Sequence, residues 1–566
     1  MANFDALRSS EILPTGEDAK ILGAFYTDTQ IAEFLVRWAV RSKDDRVLDP
    51  SLGGGVFLRA ACERITTLHG TPSSQVYGIE IDRNVHVRIR DKLVDEFGVK
   101  RSNLRNSDFF DTERSQFEKI DVVVGNPPFI RYQRFNGDSR RKALEKSLEN
   151  GVQLSKLASS WAPFVVHGVS FLKQGGRLAF VIPMEVAYTA YSIPILKFLH
   201  NSFREVTFLT FQKKLFPDLN EDTLLLLADD KGHGPGKFLT RDFSHAGMLR
   251  YQEFKNTSEV FDRTEIDSRA LTEAERRLIE YFLPVSIRDL YGELKTNTLV
   301  STLGCLADVG IGYVTGNNKF FHLSPTEAKG WKIPSKFLRP AVRRGKSLAS
   351  LRFTDDDWAS GLESDDTCYL LNVPNGQSLG KGLRAYIEHG ESAGVPRAYK
   401  CRTREPWYSV PHVHQPDAFL SYMSGDTPKL VANDTSAVAP NSLHVVRMHP
   451  QSSVTSGVLA ALWQTSLTRL SCEIEGHSLG GGMLKLEPTE AEKVLIGLIG
   501  NSTNEFDGLA LELDLLARRG QQNLVRDLAD EFILVKSMGL SRNECRLLAE
   551  GASILHARRT GRGKAV

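Results

Sequence analysis

Several common patterns are missing from this 566-residue chain. No two of its six cysteines (Cys62, Cys305, Cys368, Cys401, Cys472 and Cys545) form a C-x-x-C pair. A disulfide framework or zinc cluster is therefore not expected, and a reducing cytoplasm is. His412 and His414 have no further ligand at metal-binding spacing, so no metal site is expected either. The opening Met1-Ala-Asn-Phe-Asp-Ala-Leu-Arg8 lacks the charged start and apolar run of a signal peptide. No apolar stretch reaches the roughly 18 residues of a membrane span. Charge of one sign is lacking too. The 71 basic and 69 acidic residues leave a net +2, so a polyanionic partner would have to be met by local basic patches. Neither a fixed-period repeat nor a P-D…(E/D)-x-K pattern placed for a nuclease core is found.

What is present is alternation. Apolar β-type runs at 46–49, 75–82, 120–124, 177–183, 206–211 and 223–228 are interleaved with helical patterns at 56–68, 84–97 and 194–201. A stripe of Leu157, Trp161, Phe164, Gly168 and Phe171 at helical spacing predicts a further helix. Near-continuous apolar strands between helices predict a doubly wound, Rossmann-like α/β domain with a mostly parallel sheet. Lys231-Gly-His-Gly-Pro-Gly236 reads as a boundary. The expected domains are therefore 1–235, a mixed α+β domain over 236–504, and a helical C-terminal segment over 505–566. Ser541-Arg-Asn-Glu544 is a capping box that opens the last helix, and Arg558–Lys564 reads as a frayed basic tail.

Ligands of parallel α/β sheets sit beyond the carboxyl ends of the strands, so those ends carry the functional reading. The first strand runs into Asp49-Pro-Ser-Leu-Gly-Gly-Gly-Val-Phe-Leu58, where Gly53 and Gly55 let backbone approach a ligand closely. Glu80 ends the second strand and can accept both hydroxyls of a ribose, or it is a solvated strand end. Asp108 and Phe109 follow a third strand. They can take an adenine amine and offer a stacking face, or Asp108 merely caps a turn. A glycine loop alone also suits dinucleotide folds. Here, however, Asp49 precedes Gly53 by four residues, and an acid at that place repels phosphate and attracts ammonium. S-adenosylmethionine offers an ammonium, a ribose and an adenine without phosphate.

Asp49-Pro50, Gly53, Gly55, Phe57-Leu58, Glu80, Asp108-Phe109 and Asn126-Pro127-Pro128-Phe129 occur in that order. The chain thereby resembles the DNA adenine-N6 methyltransferases whose cofactor motifs come first and whose target recognition domain follows. Gly23-Ala-Phe-Tyr-Thr-Asp28 is similar to the family's upstream motif, with Asp28 where the family has proline. The likeness covers roughly residues 20–230. It continues more loosely through Val309-Gly-Ile-Gly-Tyr-Val-Thr-Gly-Asn-Asn-Lys-Phe-Phe321 and Gly480-Gly-Gly-Met-Leu-Lys-Leu486. It implies S-adenosylmethionine as cofactor, with Thr27 on the methionine carboxylate. It also implies double-stranded DNA as partner, a restriction-modification or related defence role, and a separate endonuclease or defence subunit acting on the same site.

An exocyclic adenine amine is a poor nucleophile because its lone pair is delocalised into the ring. Two acceptors on its N–H groups would free that pair, and the resemblance assigns them to the Asn126 side chain and the Pro127 carbonyl. Proline fixes φ and brings no competing donor. The base must leave the duplex to be reached. Phe129 would then stack on it, unless Phe129 is a core ring, and Phe216 would close the other face, unless it anchors its loop.

From Lys332 to Arg352 the chain has seven basic residues and no acidic one, Arg339, Arg343, Arg344 and Lys346 among them. Lys400 and Arg402 precede Trp407. Such runs suit phosphate contacts and base stacking, although a solvated positive loop reads the same way. Arg131, with Arg134, Arg140 and Arg141, follows the Asn126 loop and could meet the strand beside the extruded base. Three other readings stay open: an N4-cytosine DNA methyltransferase, a methyltransferase acting on protein glutamine or RNA, and a DNA-binding specificity protein with an inactive catalytic domain.

Overall fold

The computed structural model describes residues 27–216, 221–251, 262–498 and 503–563. They fall into two compact units, the first holding the chain up to Phe282 with Leu479–Gly481 and the segment from Gly561, and the second holding Leu283–Ser478 and Gly482–Thr560.

The first unit is organised by a nine-stranded sheet: β1 Val47–Asp49, β2 Val76–Glu80, β3 Leu104–Asn106, β4 Ile120–Gly125, β5 Leu172–Pro183, β6 Phe203–Phe211, β7 Thr223–Lys231, β8 Lys237–Phe243 and β9 Thr264–Ile266. Their order is β3-β2-β1-β4-β5-β7-β6-β8-β9. The first five strands are mutually parallel, and β7 runs antiparallel to both β5 and β6. Val47, Leu48, Val122, Val123 and Val124 are fully buried, as strands covered on both faces require. The chain order turns between β1 and β4, the place where parallel α/β sheets open a ligand crevice beyond the carboxyl ends of their strands.

The helix Thr29–Ala39, which the sequence reading passed over, packs Ile31, Phe34 and Leu35 into the same core. Asp28 caps it, its Oδ1 accepting the Gln30 N–H at 2.8 Å. That gives the residue replacing proline a plain job. The expected break at 235/236 falls between β7 and β8, because β8 pairs in parallel with β6 along its whole length. The glycine-proline cluster there turns the chain within one sheet.

The second unit has a five-stranded sheet, ordered Ala307–Ile311, Leu443–Met448, Ala418–Ser421, Leu430–Asn433, Arg352–Phe353. A three-stranded antiparallel sheet is formed by His322–Leu323, Thr367–Leu371 and Leu338–Val342. The C-terminal helices belong to this unit. Asp514 accepts the Leu351 and Arg352 N–H groups, each at 2.9 Å. Asp530 accepts the Ser466 N–H at 2.7 Å. The expected capping box forms, with Ser541 N–H on Glu544 at 2.7 Å and Glu544 N–H on Ser541 Oγ at 3.2 Å. The basic tail is not frayed at its start, since Arg559 is buried and donates to Glu473 at 2.8 and 2.9 Å, and Lys564 lies outside the described residues. No described helix is long and apolar enough to cross a membrane.

Candidate active site

Four turns line the crevice. The first leaves β1 at Asp49, which is completely buried. Its Oδ1 accepts the Ser51 N–H at 3.0 Å, while its Oδ2 is buried without a hydrogen-bond partner. Burial pushes the Asp49 carboxyl up to about 7, opposed by the Ser51 bond and reinforced by the charge of Glu80. A bare buried acceptor costs about 1–3 kcal/mol, and a ligand ammonium would remove that cost. Gly53 and Gly55 take φ of +48° and +75°, the left-handed region that glycine enters freely. At Gly55 a β-carbon would also stand 2.5 Å from Ile89 Cγ2.

The second turn leaves β2. Glu80 is not a free strand end, because its Oε2 accepts the Gly53 N–H at 2.8 Å and its Oε1 accepts the Asp82 N–H at 2.9 Å. The carboxylate ties two turns together and keeps lone pairs for a ligand. Ile81 beside it is 58% exposed, an apolar surface just past the carboxyl end of β2 that sequence reasoning missed. An isoleucine between two acids at a strand end was the available signal.

The third turn follows β3. Asp108 does cap it, accepting the Phe110 N–H at 3.0 Å on Oδ1, and its Oδ2 accepts from Ser139 Oγ at 2.8 Å. The Phe109 ring, expected to offer a face to adenine, instead stacks on Phe164 and Phe171 at 5.2 and 5.4 Å between centroids. The predicted stripe on the helix Trp161–Phe171 supplies those partners.

The fourth turn holds Asn126-Pro-Pro-Phe129. The Asn126 Nδ2 donates to Thr27 Oγ1 at 3.1 Å, and its backbone carbonyl accepts from Ser51 Oγ at 3.3 Å. The Asn126 Oδ1 is buried and has no hydrogen-bond partner. Ser160 clamps the rest of the loop. Its hydroxyl donates to the Pro128 carbonyl and accepts the Ile130 N–H at 2.8 Å, and its own N–H reaches Ile130 O at 3.0 Å. Pro127 is buried beside Asn126. Phe129 and Phe216 are each only 7% exposed and join one hydrophobic cluster. The rings expected to sandwich a base are thus packed by protein, for the same apolar reason that drives every core ring inward.

Arg131 is exposed and pairs with Glu221 at 2.8 Å; burial raises the Glu221 carboxyl, and Arg131 opposes the shift. Arg140 is spent on the Tyr132 and Phe135 carbonyls, each at 2.8 Å. Arg141 pairs with Asp138 at 2.6 Å and Glu145 at 2.7 Å.

In the second unit, the acid-free basic run acquires acids from elsewhere in the chain. Arg343 pairs with Asp365, and Arg344 lies 3.4 Å from Asp365 and 3.7 Å from Asp366. Arg339 is half-buried on its strand, while Lys346 is exposed. Trp407 is not a free stacking ring. It packs on Phe320 at 5.2 Å and donates its indole N–H to Glu391 at 3.2 Å. The exposed ring is Tyr399, 65% accessible, with Lys400 Nζ and Arg402 Cζ at 5.5 and 5.3 Å from its centroid.

The strand order, the glycine turn after β1 and the acid ending β2 define a Rossmann-like methyltransferase domain, joined to a second, mixed domain. Residues 15–248 match the N-6 DNA Methylase family, and 275–534 match the Type II methyltransferase M.Eco57I, C-terminal domain. The chain therefore carries an N-6 DNA Methylase domain followed by an M.Eco57I-type C-terminal domain, and it is homologous to Type II methyltransferases. It is 23% identical over 504 residues to Type II methyltransferase M.AccI of Acinetobacter calcoaceticus, covering 86% of this chain and 88% of that one. It is 22% identical over 496 residues to M.XamI of Xanthomonas campestris pv. amaranthicola, covering 86% and 87%. Among solved structures it shares its fold with the DrdV–DNA complex (TM-score 0.50, 12% identity, 88% of this chain and 58% of that one). A nuclease-deletion mutant of the Type ISP enzyme LlaGI with a DNA substrate mimic is equally similar (TM-score 0.50, 13%, 87% and 54%). The chain thus spans little more than half the length of these two solved chains.

Proposed function

We propose that the protein transfers a methyl group from S-adenosylmethionine to the N6 amine of an adenine extruded from double-stranded DNA, in a restriction-modification or related defence system. The observation that carries this reading is a pair of bare acceptors on the two strands that flank the crevice, Asp49 Oδ2 on β1 and Asn126 Oδ1 just past β4. The donor set fits the cofactor: a buried carboxylate for an ammonium, Glu80 lone pairs for ribose hydroxyls, Ile81 as an apolar face, and no cation to suit phosphate among these residues. When bound, S-adenosylmethionine supplies an electrophilic methyl carbon on a sulfonium.

The chain's own part is positioning. Asn126 Oδ1 accepts one N–H of the adenine amine, and the Pro127 carbonyl accepts the other. Drawn out of conjugation, the nitrogen lone pair would be free to take the methyl carbon that the cofactor supplies. The surplus amine proton leaves to solvent. Holding the partners in line can supply up to about 7–11 kcal/mol of barrier reduction. Phe129 and Phe216 would have to turn a face outward to stack on the base. Lys346, Lys400 and Arg402 suit the DNA backbone, and an endonuclease acting on the same site is the expected companion.

The test is transfer of labelled methyl to unmethylated DNA, followed by nucleoside analysis. N6-methyl-2′-deoxyadenosine supports the reading, N4-methyl-2′-deoxycytidine replaces the acceptor, and DNA binding without transfer overturns it in favour of an inactive specificity protein. Asn126→Ala should keep cofactor binding and lose about 100-fold or more in rate.

A further inference from the structure

A primary amide has two ends of nearly equal size and opposite hydrogen-bonding sense. Only the oxygen end of Asn126 can accept from an amine. A half-turn of the side chain would set N–H against N–H. The oxygen is the end left bare in the buried crevice, and the nitrogen end is the one held, by the 3.1 Å bond from Nδ2 to Thr27 Oγ1.

Thr27 is well placed to hold it. The next residue, Asp28, caps the helix Thr29–Ala39 through the Gln30 N–H, and its carbonyl takes the Ile31 N–H at 3.1 Å. That helix buries Ile31, Phe34, Leu35 and Val36 in the core of the sheet domain. The hydroxyl therefore stands at the start of a fixed element. The Asn126 backbone is fixed from another side by Ser51 Oγ. With the backbone and the amide nitrogen both held, the direction of Oδ1 follows.

We propose that Thr27 is a positioning residue that aims the Asn126 carboxamide through the Oγ1–Nδ2 bond, so that the substrate amine meets an acceptor. This inference rests on the methyl-transfer reading above. It differs from the role that resemblance implies for Thr27, contact with the cofactor's carboxylate, and the two roles give different kinetics.

The experiment compares wild type, Thr27→Val and Thr27→Ser in full-length protein. Valine keeps the shape and removes the oxygen, and serine restores the oxygen. Calorimetry measures S-adenosylhomocysteine affinity, and single-turnover assays at saturating S-adenosylmethionine measure transfer to unmethylated DNA. The expected result for Thr27→Val is a single-turnover rate lowered by about tenfold or more, with cofactor affinity within about twofold of wild type. Thr27→Ser should recover most of that rate. Two results overturn the inference: affinity falling about tenfold with a wild-type rate at saturation, or valine and serine behaving alike. If the wild type itself transfers no methyl to DNA, the functional reading fails and takes this inference with it. An active wild type with an unaffected Thr27→Val removes the inference alone.

Discussion

A β-carbon on Gly125 would lie 2.9 Å from Oδ1 of Asp49. The two residues sit at the ends of β4 and β1, which pair in parallel as Val47–Val122 and Leu48–Val123. Asp49 is fully buried and cannot swing into solvent to make room. Gly125→Ala is expected to displace its carboxylate and cost about 1–3 kcal/mol of stability. Thermal unfolding and cofactor titration should both report it, whereas a substitution at the exposed Ile81 should touch only the titration.

Cofactor affinity should depend on pH through Asp49. Burial holds its carboxyl at about 7, so below that value the group is neutral and above it an anion faces the ligand's ammonium. Affinity is expected to rise with pH across about 5.5 to 7.5, where the ammonium remains largely protonated, with a limiting slope of about tenfold per unit. Asp49→Asn should flatten the profile and bind weakly throughout, as read by calorimetry at several pH values.

Removing the Ser160 hydroxyl should loosen the Asn126–Phe129 turn. Ser160→Ala leaves the Pro128 carbonyl and the Ile130 N–H without their side-chain partner, at a position only 1% exposed. A loss of about 1–3 kcal/mol in stability is expected, with transfer slowed and cofactor affinity nearly unchanged. Denaturant titration and single-turnover rates check the two halves separately.

Lys400 and Arg402 flank the exposed Tyr399, while Trp407 is packed. The double variant Lys400→Ala with Arg402→Ala should weaken DNA binding and reduce the slope of log affinity against log salt by about 2. Trp407→Ala should lower the melting temperature first, because its ring sits on Phe320. Fluorescence anisotropy across a salt series distinguishes the two.

The parts legible in the sequence were those written in local pattern. The apolar runs predicted β1, β2, β4, β5, β6 and β7 because a strand covered on both faces needs no partner to be recognised. The glycines and acids at their ends placed the crevice. Two things were hidden, each for a physical reason. Glycine and proline at 231–236 signal a turn without saying that the next strand rejoins the same sheet, so β8 and β9 were missed. An aromatic residue shows its size in sequence but not the direction of its face, so Phe109 and Trp407 read as available rings, and Phe129 and Phe216 can be read either as stacking faces or as packed ones. Ion pairs behave likewise: the acid that meets Arg343 is Asp365, brought back by the pairing of Leu338–Val342 with Thr367–Leu371.

The double grip of Glu80 on Gly53 and Asp82 couples the lengths of two loops. Inserting a single residue into either would pull one N–H away from the shared carboxylate and slacken the other loop as well. The two walls can therefore only be remodelled together.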